Sequence, residues 1–467
     1  MSIGNITKNS STRGKYFGTD GFRGEPNVTL TPLQSYQIGR FVGWYYSNKK
    51  TNNQRARILI GRDTRLSGFM IEAAIAAGVT TSGADVYLLN VTTTPSISFF
   101  CKSNGFDCGA MITASHNPYY DNGIKLINGS GEKLDENITK MIESYLDDKE
   151  ALLKNDVPIA TRNAIGRIYN YSNCIDQYSS YLISTADTSL NNLKIGIDCA
   201  NGSSYMIAER IFSNLGAKTY VINNNPDGTN INRNCGSTHL EQLQALVIKE
   251  SLDVGFAFDG DADRCIAIDK YGNVVDGDKL IYIIAKRLKR LNLLNRDTVA
   301  VTIMSNLGLI KALNTEGILV SITPVGDKYV YERMVENGYQ LGGEQSGHII
   351  MKPYSVTGDG ILTAIIIANE IIETNCDLSI LCKEVKAFPQ ITVNLKVKDK
   401  FVIANDVALS KIVADLNKQI HPTGRVLLRA SGTEDLIRLT VEAEDNEICE
   451  NYIQILSKAI KERDDLL

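Results

Sequence analysis

Histidine is scarce in this chain, with four in 467 residues, and two of them, His116 and His348, fall inside short polar motifs. None of the nine cysteines forms a C-x-x-C pair. That removes the spacing expected of zinc ribbons and thiol-redox centres. An odd cysteine count and a polar stretch from Met1 to Arg13 without a hydrophobic region predict reduced thiols in a cytoplasmic protein. Cys199, Cys235 and Cys265 lie near polar motifs, and the sequence reads them as small packed residues. No apolar run reaches bilayer length, so no membrane association is expected. Positive charge is not in excess, the net charge being -4, so nucleic acid is not an expected partner either. No clear sequence repeat is visible. What remains is an ordinary globular composition, 43% hydrophobic and 22% charged, and a length that predicts two to four domains.

The most informative stretch is Thr113-Ala114-Ser115-His116-Asn117-Pro118, with Lys125 a short way on. It follows the apolar run Cys108 to Ile112, which predicts a buried strand. Ser115 is therefore expected where a strand opens into a loop, the place where α/β folds bind ligands. A serine beside a histidine is a pattern for nucleophilic chemistry. The flanking residues are Ala114 and His116, not the glycines of a hydrolase elbow. Side chains adjacent on an extended strand point apart, so contact between Ser115 and His116 is not expected. A lone Ser-His pair is by itself most simply a hydrogen-bonded turn, and other parts of the chain must decide.

Taken in order, residues 1–14 read as a tail. Gly18-Thr19-Asp20-Gly21-Phe22-Arg23-Gly24 is a glycine-rich loop in which Arg23 is placed to hold phosphate. Strands at Arg57 to Ile60 and Val86 to Leu89 with a helix between them make a βαβ unit in a first α/β domain, 15–165. A helix is expected over 134–154. A second α/β domain, 166–273, carries strands at Lys194 to Asp198 and Val254 to Phe258. A third, 274–385, is expected to hold a strand at Thr323 to Asp327 leading into Lys328, and an apolar helix at Ile361 to Ile372. The last segment, 386–467, alternates strands and helices in a different order and reads as α+β. The expected fold is α/β: three consecutive domains of like strand-helix order and a C-terminal α+β domain, around a central cleft.

Three further motifs carry chemistry. Asp259, Asp261 and Asp263 stand at alternate positions straight after a strand. On a tight loop they would repel one another unless a cation neutralised them, and oxygen-only ligands suit Mg²⁺. An EF-hand is excluded, because its glycine and terminal acid positions hold Arg264 and Lys270. In Gly343-Glu344-Gln345-Ser346-Gly347-His348, the residues Glu344, Ser346 and His348 alternate; on an extended segment they would share one face and suit sugar hydroxyls or an amino group. Arg429, Ser431, Gly432 and Thr433 read as an anion cradle of guanidinium, hydroxyls and backbone N–H groups. One serine, one metal triad, one sugar loop and one phosphate cradle fit phosphoryl transfer through a phosphoserine, with Ser115 supplying an oxygen to the metal and Arg23 and Lys125 adding positive charge.

With these motifs in the same order along nearly the whole chain, the sequence resembles the α-D-phosphohexomutase family. Within it the likeness is to the branch acting on glucosamine phosphates. That likeness is carried by Tyr16 to Gly24, by Asn230 to Thr238 and by Gln345, where mannose- and glucose-directed members more often carry methionine. The resemblance implies that Ser115 is phosphorylated and interconverts glucosamine 6-phosphate and glucosamine 1-phosphate through a 1,6-bisphosphate intermediate, which also serves as activator. It implies Mg²⁺ on Asp259, Asp261, Asp263 and Ser115, and substrate on Arg264, Glu344, Ser346, Arg429, Ser431, Gly432 and Thr433. Arg23, Lys125, His116 and His348 would support transfer. Sugar phosphates are the implied partners, and a homodimer is left open. Two departures stand out: Ala262 where many relatives have glycine, harmless unless φ there is positive, and Asp435 in place of an expected proline. Rival readings are the same chemistry on mannose or glucose phosphates, a metal-dependent sugar phosphatase, and a non-catalytic sugar-phosphate sensor.

Overall fold

The computed structural model describes residues 14–51, 54–148, 157–430 and 436–465. These fall into two compact units. One contains the described residues up to Met304 together with Gly317–Lys383; the other contains Ser305–Glu316 and the described residues from Glu384 onward.

The first unit opens with β1 (Phe17–Gly18), β2 (Gly21–Gly24), α1 (Pro32–Ser47), β3 (Arg57–Arg62), α2 (Gly68–Thr81), β4 (Asp85–Val91), α3 (Thr94–Asn104), β5 (Cys108–Ile112), β6 (Asn122–Asn128), α4 (Glu136–Asp147) and β7 (Ile168–Asn170). Its seven-stranded sheet has the order β1-β2-β6-β5-β3-β4-β7. The strand β7 pairs with β4 although it lies beyond the expected boundary at 165/166. The expected helix over 134–154 is α4, and residues 149–154 lie outside the described residues.

Next come α5 (Ile175–Ser184), β8 (Lys194–Asp198), α6 (Ala208–Asn214), β9 (Lys218–Ile222), α7 (Glu241–Glu250), β10 (Val254–Phe258), β11 (Cys265–Asp269) and β12 (Val274–Val275), in a sheet of order β12-β11-β10-β8-β9. The chain continues through α8 (Gly277–Arg290), β13 (Thr298–Thr302), α9 (Leu307–Thr315), β14 (Leu319–Thr323), α10 (Asp327–Asn337), β15 (Leu341–Gly343), β16 (Ile349–Met351), α11 (Gly360–Thr374) and α12 (Leu378–Leu381). Its four strands are ordered β14-β13-β15-β16. The strand expected at Thr323 to Asp327 is displaced. The strand ends at Thr323, Pro324 and Gly326 follow, and Lys328 lies in the first turn of a helix.

One pattern occurs three times. In each sheet the second strand of a four-strand set runs parallel to both neighbours, and the fourth strand returns antiparallel. These sets are β4-β3-β5-β6, β9-β8-β10-β11 and β14-β13-β15-β16. The third strands β5, β10 and β15 are buried throughout, which is why β5 and β10 read as short unbroken apolar runs. The helix α11 is apolar nearly all round, and Ile361, Leu362, Ile365, Ile366 and Ile367 are at most 2% exposed. Each contributes about 1.5–3 kcal/mol of burial. Asp359 caps it by accepting from the Leu362 N–H at 3.0 Å.

The second unit pairs β17 (Gln390–Lys396), β18 (Gly424–Ala430) and β19 (Leu436–Ala443) in an antiparallel sheet of order β17-β19-β18. The helices α9, α13 (Lys400–Ala404), α14 (Val407–Ile420) and α15 (Asn446–Asp465) complete it, with Ile403, Leu409, Leu416, Ile437, Leu439, Val441 and Leu456 in its core. Its α+β character is as expected.

Candidate active site

The threefold pattern places the chemistry. Ser115 lies in the loop from β5 to β6, the three aspartates in the turn from β10 to β11, and Glu344 to His348 in the turn from β15 to β16. All three are the same connection of the same topology, at the carboxyl end of the third strand, where α/β sheets bind ligands.

Ser115 is fully buried and left-handed, with φ 53°. Its backbone N–H donates to Thr113 Oγ1 at 2.9 Å, and its hydroxyl donates to Asp259 Oδ2 at 2.5 Å. The left-handed turn also overturns one expectation. Ser115 Oγ and His116 Nδ1 are 3.3 Å apart, because the alternation of an extended strand does not apply here. Burial, with Arg264 and Arg23 nearby, pushes the His116 imidazole down to about 4, so it stands neutral beside the serine.

The triad is packed tightly. One carboxylate oxygen of each of Asp259, Asp261 and Asp263 lies within 4.8 Å of the others, and all three residues are buried. Lys125 projects from β6 and donates from Nζ to Asp261 Oδ2 at 2.8 Å and Asp263 Oδ2 at 2.9 Å. The other oxygen of each, Oδ1, is buried with no hydrogen-bond partner. Burial and the two neighbouring carboxylates raise the Asp259 carboxyl well above its ordinary range. Free buried oxygens from an all-carboxylate set are what a hard cation requires, so the residues fit a bound divalent metal. Ala262, inside this turn, has φ 57°. That is the condition under which alanine in place of glycine is strained, by roughly 1–2 kcal/mol.

Positive charge surrounds the triad. Burial disfavours the Lys125 ammonium, but Asp20, Asp261 and Asp263 outweigh it and hold its proton well above the usual range. Arg264 Nε is 4.0 Å from Asp259 Oδ2 and 3.8 Å from Asp263 Oδ1. Arg23 pairs with Asp20 and donates from Nη1 to Asn117 Oδ1 at 3.3 Å. Asp20 also lies 3.3 Å from both Lys125 and Lys133, and Lys133 reaches Asp327 at 2.6 Å. Burial opposes ionisation of Asp20, but these cations hold it well below the carboxylate range. The sequence assigns no role to Asp20 or Lys133; the signal for Asp20 was an acid three residues before Arg23 in a glycine-rich loop.

The turn Glu344–His348 is a tight hairpin and not an extended segment. Glu344 N–H donates to the His348 carbonyl at 3.0 Å, and Gly347 N–H to the Glu344 carbonyl at 3.0 Å. The shared-face expectation therefore fails: Ser346 is exposed, Glu344 half-buried and His348 buried. Gln345 donates from Nε2 to Asp276 Oδ2 at 3.2 Å, at the cap of α8, so it braces the turn from outside. Glu344 Oε1 accepts from the Gly326 N–H at 3.2 Å, and burial with Asp327 raises its carboxyl. His348 lies 3.6 Å from Asp263 by Nδ1 and 3.5 Å from Asp327 by Nε2. Burial opposes its charge, but those carboxylates push it up to about 9. The Gly358 N–H, donating to Nε2 at 3.2 Å, favours the neutral ring instead. A cation on Asp263 would remove the largest of the raising charges and leave the neutral tautomer with Nδ1–H toward Asp263. A Cβ on Gly358 would lie 2.6 Å from the imidazole, so only glycine fits against it.

In the second unit, Arg429 stands directly across from Arg438 on the paired strands β18 and β19. Burial and that second guanidinium lower its pKa. Like charges facing each other across a sheet are unfavourable without an anion. Ser431, Gly432 and Thr433 lie outside the described residues. Cys199, Cys235 and Cys265 are buried, as small packed residues.

A buried serine on a carboxylate triad, ringed by ammonium and guanidinium groups, defines a phosphoryl-transfer centre. Comparison with known proteins specifies it. The models for phosphoglucomutase/phosphomannomutase alpha/beta/alpha domains I, II and III match residues 14–152, 170–272 and 276–388, and that for the C-terminal domain matches 393–458. The chain belongs to this family, the α-D-phosphohexomutases. The phosphoglucosamine mutase of Lachnoclostridium phytofermentans is 49% identical over 439 residues, 94% of this chain and 96% of the relative. Among solved structures, a phosphoglucomutase/phosphomannomutase family protein from Burkholderia thailandensis superposes with a TM-score of 0.77 at 23% identity, covering 96% of this chain and 98% of that one. An N-acetylphosphoglucosamine mutase from Aspergillus fumigatus, solved with GlcNAc-6P and magnesium, gives 0.66 at 16% identity, covering 96% of each. Both share the fold. Among the described residues no helix is long and apolar enough to cross a membrane.

Proposed function

We infer that this chain is a phosphoglucosamine mutase, interconverting glucosamine 6-phosphate and glucosamine 1-phosphate in the cytoplasm through a phosphoserine at Ser115. The observation that carries the mechanism is the Ser115 hydroxyl lying 2.5 Å from Asp259 within a buried three-carboxylate turn. The amino sugar rests on relatives such as the 49%-identical phosphoglucosamine mutase.

The phosphoserine enzyme transfers its phosphoryl group to O1 of glucosamine 6-phosphate. The Oγ–P bond breaks, the O1–P bond forms, and the hydroxyl proton of O1 leaves to a base. The 1,6-bisphosphate then turns end over end and returns its 6-phosphate to Ser115, leaving glucosamine 1-phosphate. Asp259, Asp261 and Asp263, with a phosphoryl oxygen on Ser115, would hold Mg²⁺, which when bound neutralises charge on the transferring group. Lys125, paired with Asp261 and Asp263, adds positive charge at the site. Arg23 and Arg264 add to that field. His116 is neutral beside Oγ and able to accept a proton. Glu344 and Ser346 are assigned to the sugar, His348 to support of transfer, and Arg429 to a phosphate.

The sugar is tested by turnover of glucosamine 6-phosphate, glucose 1-phosphate and mannose 1-phosphate side by side, with Mg²⁺ and a trace of bisphosphate, read by phosphorus NMR. The expected kcat/KM for the amino sugar exceeds the others by about tenfold or more. A preference for mannose or glucose would keep the mechanism and overturn the sugar assignment. Free phosphate as the main product would make the protein a phosphatase.

A further inference from the structure

We propose that Asn232 and Arg65 clamp the backbone of the serine turn and are positioning residues for transfer at Ser115; the inference rests on Ser115 being the residue that carries phosphate. A serine at φ 53° does not hold that conformation by its own preference, so its surroundings must impose it. Two side chains converge on the turn. Arg65 donates from Nη2 to the Ser115 carbonyl at 2.9 Å and the Asn117 carbonyl at 2.8 Å, and from Nη1 to the Asp121 carbonyl at 3.0 Å. Asn232 donates from Nδ2 to the same first two carbonyls, at 2.8 and 3.0 Å. Both acceptor sites of the Ser115 carbonyl are thereby filled.

Neither donor is free to swing. Arg65 is fully buried, and its Nε donates to Asp63 Oδ2 at 2.9 Å while Thr113 Oγ1 donates to that same oxygen at 2.7 Å. Asn232 is itself left-handed, φ 56°, and its N–H is tied to the Ala200 carbonyl at 2.9 Å. The two residues differ in where they come from. Arg65 follows β3 in the same sheet domain as Ser115 and fixes the shape of the turn. Asn232 comes from the chain around β8–β10, the domain of the triad. The triad turn abuts the same point, since a Cβ on Gly260 would lie 2.6 Å from the Ser115 carbonyl oxygen and 3.0 Å from Asn232 Nδ2. Asn232 therefore locks the serine turn in register with Asp259, across the junction of two sheets. It touches no group assigned to the sugar, so its loss should slow transfer without weakening substrate binding.

The test is Asn232→Gly, which removes the donor and keeps a backbone that accepts positive φ, with Asn234→Gly as the control. Asn234 is exposed and has the same backbone conformation, φ 54°. Asn232→Asp, which keeps the side-chain shape and turns an acceptor toward the two carbonyls, is the second variant. For both Asn232 variants, kcat and the rate of Ser115 labelling from glucose 1,6-bisphosphate are expected to fall together, on the order of 10- to 100-fold. The KM for glucosamine 6-phosphate should stay within about twofold, and Asn234→Gly should match the unmodified enzyme. The clamp is overturned if kcat of both Asn232 variants stays within about twofold of Asn234→Gly, or if KM rises with kcat unchanged. Ser115→Ala, assayed alongside, separates the two levels. Turnover retained there removes the phosphoserine reading itself, whereas an inactive Ser115→Ala beside a fully active Asn232→Gly removes only the clamp.

Discussion

Alanine at position 115 is expected to lower mutase turnover by about 10⁴-fold or more while the protein stays folded. The loss is large if, as proposed, the hydroxyl oxygen is the atom on which phosphate is carried, since no neighbour can substitute for it. Thr113 is spent on the Ser115 N–H and on Asp63, and the His116 imidazole is not fixed on the triad as Oγ is. The fold survives because the change removes one hydroxyl. The Ser115 carbonyl and N–H, which hold the turn, are untouched. Asp259 loses a donor, at a cost of about 1–3 kcal/mol, which a chain of this size tolerates. Steady-state turnover, a melting curve and the intact mass after exposure to bisphosphate check this together. Turnover within about tenfold of the unmodified enzyme would contradict it.

The second large effect is expected from Asp261→Asn. Asp261 Oδ2 is engaged by Lys125, while Oδ1 is buried and unpartnered. The amide substitution withdraws the free oxygen's charge from the cation and leaves Lys125 held by Asp263 and Asp20 alone. Mg²⁺ activation should then require about 100-fold more metal, and kcat at saturating metal should fall by about the same factor, since charge at the transferring group is reduced as well. Thermal melting supplies a reading independent of turnover. Mg²⁺ should raise the melting temperature of the unmodified protein, and the variant should lose most of that rise at equal metal concentration. Equal metal dependence in the two proteins would remove Asp261 from the metal set.

Much of this site was legible in the sequence because its parts are local. A strand buried on both faces reads as an unbroken apolar run, so β5 and β10 were placed to within a residue, and the polar motif beside each strand was then unmistakable. What the sequence did not disclose is that Ser115, the aspartates and Glu344 occupy the same connection in three copies of one topology. That equivalence lives in strand pairing, between residues far apart, and side-chain identity does not encode it. Backbone conformation was hidden for the same reason. The positive φ of Ser115 and Ala262 and the tight hairpin at Glu344–His348 defeated inferences that assumed extended chain. Gln345 illustrates the limit: sequence placed it in the sugar loop, but its side chain is turned to Asp276. Other misses had usable signals. The helix α1 opens with Thr31-Pro32-x-Gln34, a capping box realised in full. Arg65 and Asn232 act on carbonyls, and no residue pattern announces a contact between a side chain and a distant backbone.

Ser115 is proposed to pass its phosphoryl group to a sugar and not to water. This is tested most directly in a single turnover. The enzyme is labelled with radioactive phosphate on Ser115, freed of bisphosphate, and mixed with glucosamine 6-phosphate in the presence of Mg²⁺. The label is expected to leave the protein at a rate no slower than kcat and to appear in bisphosphate and sugar monophosphate, and Ser115→Ala is expected to take up none. Label released chiefly as inorganic phosphate, or carried by a residue other than Ser115, would contradict it.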